Sequence, residues 1–157
     1  MSVFFDTSVL VGGLVDFGLQ SAPAQTLLHA VAERRIDKPS TAWHCCLEFF
    51  SVATRLPPEY RLTAADAVAL LEEEVFARMA VHDLPAAERA PMLRAAARDA
   101  TAGGRIYDAH IAEVARAAAA TVVVTDNRRH FLSALRYGLR VETPAEFAAS
   151  LKKKPRS

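Results

Sequence analysis

The chain has 157 residues, 52% of them hydrophobic, and a formal net charge of +1. That length supports one compact domain with a sizeable core, and the near-neutral total does not by itself call for a nucleic-acid or membrane partner. No apolar run approaches the roughly 20 residues of a membrane span. The only cysteines, Cys45 and Cys46, are neighbours in sequence. On a helix their side chains diverge, so they neither clamp zinc nor pair easily, and they read as small core residues in a reducing compartment. The segment VFFDTSVLVGGLV followed by SAPAQ imitates a secretory leader. No basic residue precedes its apolar run and Asp6 interrupts it, so a soluble, cytoplasmic protein is expected.

Val3 to Phe5 reads as a short, fully apolar first strand, ended by Asp6-Thr7-Ser8. Thr7 or Ser8 can cap a helix starting at Val9. An acid at the end of a central strand is unusual, and Asp6 is read as a functional carboxylate. Gly12, Gly13 and Gly18 are expected to loosen the segment after Val9, before a helix over about 22–34. Residues 36–39 are expected to form a second strand, with Ser40-Thr41 capping a helix TAWHCCLEFFSVATRL that stops before Pro57-Pro58. That helix is apolar nearly all round, which predicts burial. Glu48 is its one acid, and an ionised carboxylate in apolar surroundings needs a cation or several donors. His44, one turn earlier, reads as a packed or hydrogen-bonded histidine.

A helix is expected over about 63–76, with Glu72 to Glu74 on a solvated face. A short strand comes next around Met79 to Val81, then a helix over 85–100 kinked or broken at Pro91. The stretch GGRIYDAHIAEVARAAAATVVVTDNRRHF is the centre of the chain. A Gly-Gly break opens a helix carrying Asp108, and 121–125 is a β-branched run typical of a buried parallel strand. Asp126 lies where that strand stops. Residues 128–137 are expected to be helical, 139–142 a last strand, and 144–151 a last helix with Pro144 in its first turn. From Arg128 onward there are eight Lys or Arg against Glu142 and Glu146. This excess can meet phosphates or simply form a solvated face and a frayed tail.

Strands alternating with helices predict an α/β fold of three layers around a central, mostly parallel sheet of four or five strands. One domain is expected over 1–151, with 152–157 a basic, disordered tail. If the first strand and 121–125 are neighbours, Asp6 and Asp126 converge outside the carboxyl ends of the sheet, where such folds bind ligands. Asp6, Glu48, Asp108 and Asp126 packed together repel one another, and without a cation some must take up protons. Oxygen-only ligands favour Mg²⁺ or Mn²⁺ over zinc. An ion so held can lower the pKa of a water that attacks a phosphodiester in line.

At VFFDTSVLV, Glu48, GGRIYDAHIA and VVVTDNRRHF the sequence resembles the PIN-domain ribonucleases, in particular VapC-type toxins of toxin–antitoxin pairs. Four motifs in order span almost the whole chain. The resemblance implies a metal-dependent endoribonuclease with Asp6, Glu48 and Asp108 as metal-binding carboxylates and Thr125 as a hydroxyl ordering the site. It also implies an RNA substrate, an antitoxin partner and a homodimer. The family's fourth acid often lies two residues after the Thr, where this chain has Asn127; both Asp126 and Asn127 are expected near the site. Thr7 and Ser8 are supporting residues. Arg128, Arg129 and Arg105 are candidate phosphate contacts, while Arg105 could equally form a salt bridge. Tyr107 could stack on a base, although a core aromatic is the favoured reading. His110 and His130 are available as secondary contacts. A catalytically weak RNA- or partner-binding module is the alternative. A phosphatase using Asp6 as nucleophile is disfavoured because Ser8 stands where that chemistry wants a second Asp.

Overall fold

The computed structural model describes residues 1–153. Five strands, β1 (Val3–Phe5), β2 (Pro39–Ala42), β3 (Ala80–His82), β4 (Val122–Val124) and β5 (Arg140–Glu142), form one sheet in the order β3-β2-β1-β4-β5. Every pair is parallel. β1 and β4 are wholly buried, as their unbroken apolar sequences require of central strands covered on both faces. Phe4 and Phe5 on β1 and Val122 to Val124 on β4 are inaccessible to solvent.

The helices are α1 (Thr7–Leu14), α2 (Ala22–Ala32), α3 (Trp43–Ala53), α4 (Ala64–Leu70, continued by a wider-wound turn Leu71–Phe76), α5 (Ala86–Arg98), α6 (Arg105–Ala117), α7 (Leu132–Leu135) and α8 (Pro144–Lys153). From β1 the chain steps outward to β2 and β3, then crosses back to β4 and β5 on the other side. Right-handed crossovers therefore put α1 to α4 on one face and α5 to α7 on the other. The packing agrees: α1 rests on α2 and α3, α3 on α4, and α8 returns to α2, whereas α6 rests on α5 and α7. The strand order reverses between β1 and β4, so the crevice beyond their carboxyl ends is the expected ligand site of such a sheet.

Several local expectations need correction. The second strand is Pro39–Ala42, not 36–39, and Ser40 and Thr41 lie within it instead of capping a helix. Their hydroxyls donate to the Val3 and Phe5 carbonyl oxygens of β1, which is how small polar residues are accommodated in a buried strand. α1 begins at Thr7, with Asp6 at its N-cap, and the Asp6 side chain makes no cap hydrogen bond. Its carboxylate is engaged elsewhere. Gly12 and Gly13 lie inside α1 and tighten the packing: a Cβ on Gly13 would come within 2.5 Å of the Leu28 side chain on α2. α3 is buried on one face only, leaving Trp43 45% and Leu47 51% exposed. Pro91 sits within a single helix, α5. Lys152 and Lys153 belong to α8, while the rest of the expected disordered tail, 154–157, lies outside the described residues. The helix expected from residue 63 begins at Ala64, with Thr63 as its cap, the hydroxyl accepting from Asp66 N–H.

Candidate metal centre

Backbone pairing brings the site together before any side chain acts. The Asp6 N–H donates to the Val124 carbonyl at 3.1 Å, holding the residue after β1 against the end of β4. Thr125, directly after β4, is wholly buried. Its hydroxyl donates to Asp6 Oδ2 at 2.8 Å and accepts from the Asn127 N–H at 3.0 Å. Ser8 repeats the arrangement from the other side, donating to Asp6 Oδ2 at 2.9 Å and accepting from the Asp126 N–H at 3.1 Å. Two hydroxyls thus tie one carboxylate oxygen to the 125–127 turn. Asp6 Oδ1 takes no part in either bond.

Asp6 is 4% exposed, and burial pushes its carboxyl above the usual range against the opposing pull of the Thr125 and Ser8 hydroxyls. The other three acids are shifted the same way. Glu48, brought by α3, is raised first by burial and further by the charges of Asp6 and Asp108, with His44 opposing. Asp108, in the first turn of α6, is raised by burial, with His130 and His44 opposing. Asp126 is raised by burial and by the charge of Asp6. Four carboxyl groups from four different elements all resist ionisation at one sheet edge. Carboxyl groups raised together in a cleft mark a candidate functional site.

Two histidines stand against the acids. His44 Nε2 lies 2.8 Å from Glu48 Oε1, one helical turn away, and His130 Nδ1 lies 3.1 Å from Asp108 Oδ2. The His44 contact brings the groups to ion-pair distance on one helix face, and the Thr7 hydroxyl beside Glu48 also pulls its carboxyl down. Glu48 Oε1 lies buried among these groups, where a hard cation could share it. Among the described residues, no three His, Cys, Asp or Glu side chains stand as a ready-made ligand set. The candidate donors at this edge, the carboxylates of Asp6, Glu48, Asp108 and Asp126 and the Asn127 amide, offer oxygen, which is the donor chemistry of Mg²⁺ or Mn²⁺.

Two clefts meet at this edge. The smaller, about 390 Å³, is lined by Asp6, Thr7, Ser8, Glu48, Asp108, Asp126 and Asn127, together with Phe17 and Gln20 from the α1–α2 connection. The larger, about 820 Å³, shares Asp108, Asp126 and Asn127 and runs past Arg105, Arg128, Arg129 and His130 towards α5 and α7. Asp6, Thr7, Ser8, Glu48, Arg105, Asp108, Asp126, Asn127, Arg128, Arg129 and His130 thus line one or other cleft, with Thr125 buried beneath, while Tyr107 and His110 line neither. The arginines differ in availability. Arg128 is ion-paired with Glu146 of α8. Arg105 and Arg129 are exposed and make no ion pair or hydrogen bond among the described residues, so the salt bridge considered for Arg105 is absent there. Tyr107 is not a core aromatic: it is 57% exposed and stacks on His44.

Sequence reasoning misses Phe17 and Gln20, whose positions carry no spacing signal. The engagement of His44 with Glu48 is legible as an i, i+4 pair on one helix face.

A model of the PIN domain matches residues 2–129. The chain belongs to the PIN-domain family. No curated protein matches it in sequence. Among solved structures, this PIN domain is similar to PAE2754 from Pyrobaculum aerophilum, with a TM-score of 0.65 and 18% identity over 98% of this chain and 97% of that one. It is also similar to a chain of DNA-bound VapBC from Salmonella typhimurium, with a TM-score of 0.61 and 22% identity over 92% and 98%. A third is the Mycobacterium tuberculosis toxin VapC20, described as cleaving the sarcin-ricin loop, with a TM-score of 0.59 and 18% identity over 78% and 87%. At these identities the likeness concerns the fold. The family match extends through β4 and the arginine pair, and β5 and α8 complete the PIN fold beyond it.

Proposed function

We propose that this PIN domain is a Mg²⁺- or Mn²⁺-dependent endoribonuclease, the toxin of a toxin–antitoxin pair. The observation that carries the reading is the convergence of Asp6, Glu48, Asp108 and Asp126 at the β1–β4 switch point, all with carboxyl groups pushed upward by burial, next to a cleft with unpaired arginines. Asp6, Glu48 and Asp108 would hold the ion, with Asp126 or Asn127 completing its surroundings. When bound, Mg²⁺ or Mn²⁺ supplies the Lewis acidity that lowers the pKa of water and offsets charge on a phosphodiester.

The chain's own residues do the rest. Ser8 and Thr125 fix Asp6 Oδ2, which leaves Oδ1 as the ligand face and holds the carboxylate in one rotamer. The same two hydroxyls hold the 125–127 turn, and so set where Asp126 and Asn127 stand. Arg129 and Arg105, unpaired in the larger cleft, grip substrate phosphates, with Arg128 joining only if Glu146 releases it. His130 and His44 lie against Asp108 and Glu48 at 3.1 and 2.8 Å.

The toxin assignment draws on the neighbours: VapC20 is described as a toxin, and related chains occur in the VapBC and FitAB complexes bound to DNA. An antitoxin protein, a homodimer and a cytoplasmic location belong to the same proposal. Among the described residues no helix is long and apolar enough to cross a membrane.

One observation favours the competing reading, a PIN-like module that binds RNA or a protein without cutting. A neutral residue, Asn127, stands two positions after Thr125, and among the described residues no three ligands are ready-made. Calorimetric titration with Mn²⁺ alongside cleavage of a panel of structured RNAs separates the two. Metal binding with metal-dependent cutting supports the nuclease; RNA binding with neither supports the module.

A further inference from the structure

The N-terminal turns of α6 present two flanks. Arg105, Asp108 and Ala109 recur at helical spacing and line the larger cleft. Tyr107 and His110, three residues apart, look the other way, towards α3. There the Tyr107 ring lies parallel to the His44 imidazole, with centroids 5.5 Å apart and planes 11° apart, and His110 meets the same imidazole edge-on at 5.3 Å. His44 in turn touches Glu48 Oε1 and acts electrostatically on Asp108. The His44 imidazole thus links the Tyr107 ring to Glu48 and acts on Asp108. One face of Tyr107 is used against His44, yet the residue remains 57% exposed.

A tyrosine stacked on a histidine, more than half exposed and next in sequence to an acid of the site, is not a core-packing residue. The geometry points to a base-stacking subsite: Tyr107, backed by His44, receives an unpaired nucleobase of a single-stranded RNA segment whose phosphates continue past the acids into the Arg105–Arg129 cleft. This inference rests on the ribonuclease reading for its substrate class. Stacking on a preformed aromatic face is tolerant of base identity, because every base offers a π-face. The subsite would thus demand an unpaired base at one position and discriminate weakly among the four. An aromatic ring pinned in place also loses little rotamer freedom on binding.

The test measures affinity by fluorescence anisotropy of a labelled single-stranded RNA, without turnover, for wild type, Tyr107→Ala and Tyr107→Phe. The same RNA carrying an abasic nucleotide, moved along its length, provides the second axis. Tyr107→Ala should weaken binding about tenfold, within the range known for one stacked base, and Tyr107→Phe should restore it. At one position the abasic substitution should cost wild type the same factor and cost Tyr107→Ala nothing more. Equal affinity of wild type and Tyr107→Ala overturns the subsite, as does an abasic penalty that adds fully to the mutation at every position. A shift in sedimentation of Tyr107→Ala with unchanged RNA affinity would instead make this face a contact between copies. Because the readout is binding, RNA that is bound through Tyr107 but never cut refutes the nuclease reading while retaining the subsite. RNA that is cut normally by Tyr107→Ala, with wild-type affinity, does the reverse.

Discussion

Replacing Asp6 by Asn removes a charge from a position 4% exposed while keeping the shape that Ser8 and Thr125 bind. Two opposing effects can be sized. Hydrogen bonds to a charged acceptor are worth about 1 kcal/mol more than neutral ones, so two of them cost about 2 kcal/mol when the charge goes. Against that stands the desolvation of a buried carboxylate, several kcal/mol per ion. Burial is the largest influence on Asp6 and raises its carboxyl above the ordinary value of 3.8, so desolvation outweighs the two hydroxyls. The net expectation is a gain of about 1–3 kcal/mol for the variant near neutrality. For a domain of this size that is roughly 2–10 °C in Tm.

The pH dependence has a definite sign. A carboxyl raised in the folded state binds its proton more tightly than in the unfolded chain. Stability therefore falls as pH rises from the ordinary carboxylate range through the raised value, and the whole penalty is present above it. Near pH ~3 both wild type and Asp6→Asn carry a neutral side chain, and the advantage of the variant should largely vanish. Saturating Mn²⁺ should reverse the order at neutrality, because a ligand at about 100 times its Kd stabilises the wild type by roughly 2.7 kcal/mol. The assay is urea unfolding at both pH values, with and without Mn²⁺. A less stable variant at neutrality without metal would refute the reasoning, and so would an advantage that persists undiminished in acid.

Glu48→Gln should abolish metal-dependent cleavage and weaken Mn²⁺ binding by calorimetry; unchanged affinity would remove Glu48 from the ion's ligands. Arg129→Ala should weaken RNA binding at low salt and reduce the salt slope by about 1, with a smaller change for Arg128→Ala because Arg128 is paired with Glu146. Equal slopes for both variants would contradict that ordering. Gly13→Ala should destabilise by about 1–3 kcal/mol in urea unfolding, since its methyl group would meet Leu28 at 2.5 Å. A neutral result would mean that α1 and α2 can separate without cost.

The central architecture is legible in the sequence because its signals are chemically unambiguous. Val3 to Phe5 and Val122 to Val124 are too uniformly apolar for anything but buried parallel strands, and the acids that stand just beyond them, Asp6 and Asp126, are hard to explain structurally. Their adjacency, and with it the meeting of Asp6 and Asp126, comes once the sheet is known. β2 is harder to place because Ser40-Thr41 has the composition of a helix cap; only the tertiary partner, the β1 carbonyls, turns those hydroxyls into strand-to-strand hydrogen bonds. Asp6 precedes the helix start expected at Val9, yet it occupies the N-cap while its carboxylate serves the site. On α3, Trp43 and Leu47 have the character of core residues, and their exposure depends on which flank the neighbouring helices leave open. Tyr107 escapes a sequence reading for the same reason: residue type favours burial, and its partner His44 comes from another element.

The most direct measurement is cleavage of structured RNAs in Mn²⁺ or Mg²⁺ by wild type and Asp108→Asn, each repeated with a chelator. Wild type should cut, the chelator should abolish that cutting, and Asp108→Asn should lack it. Chelator-resistant cutting, or a variant that cuts as fast as wild type, would contradict a metal-dependent nuclease with Asp108 in its site.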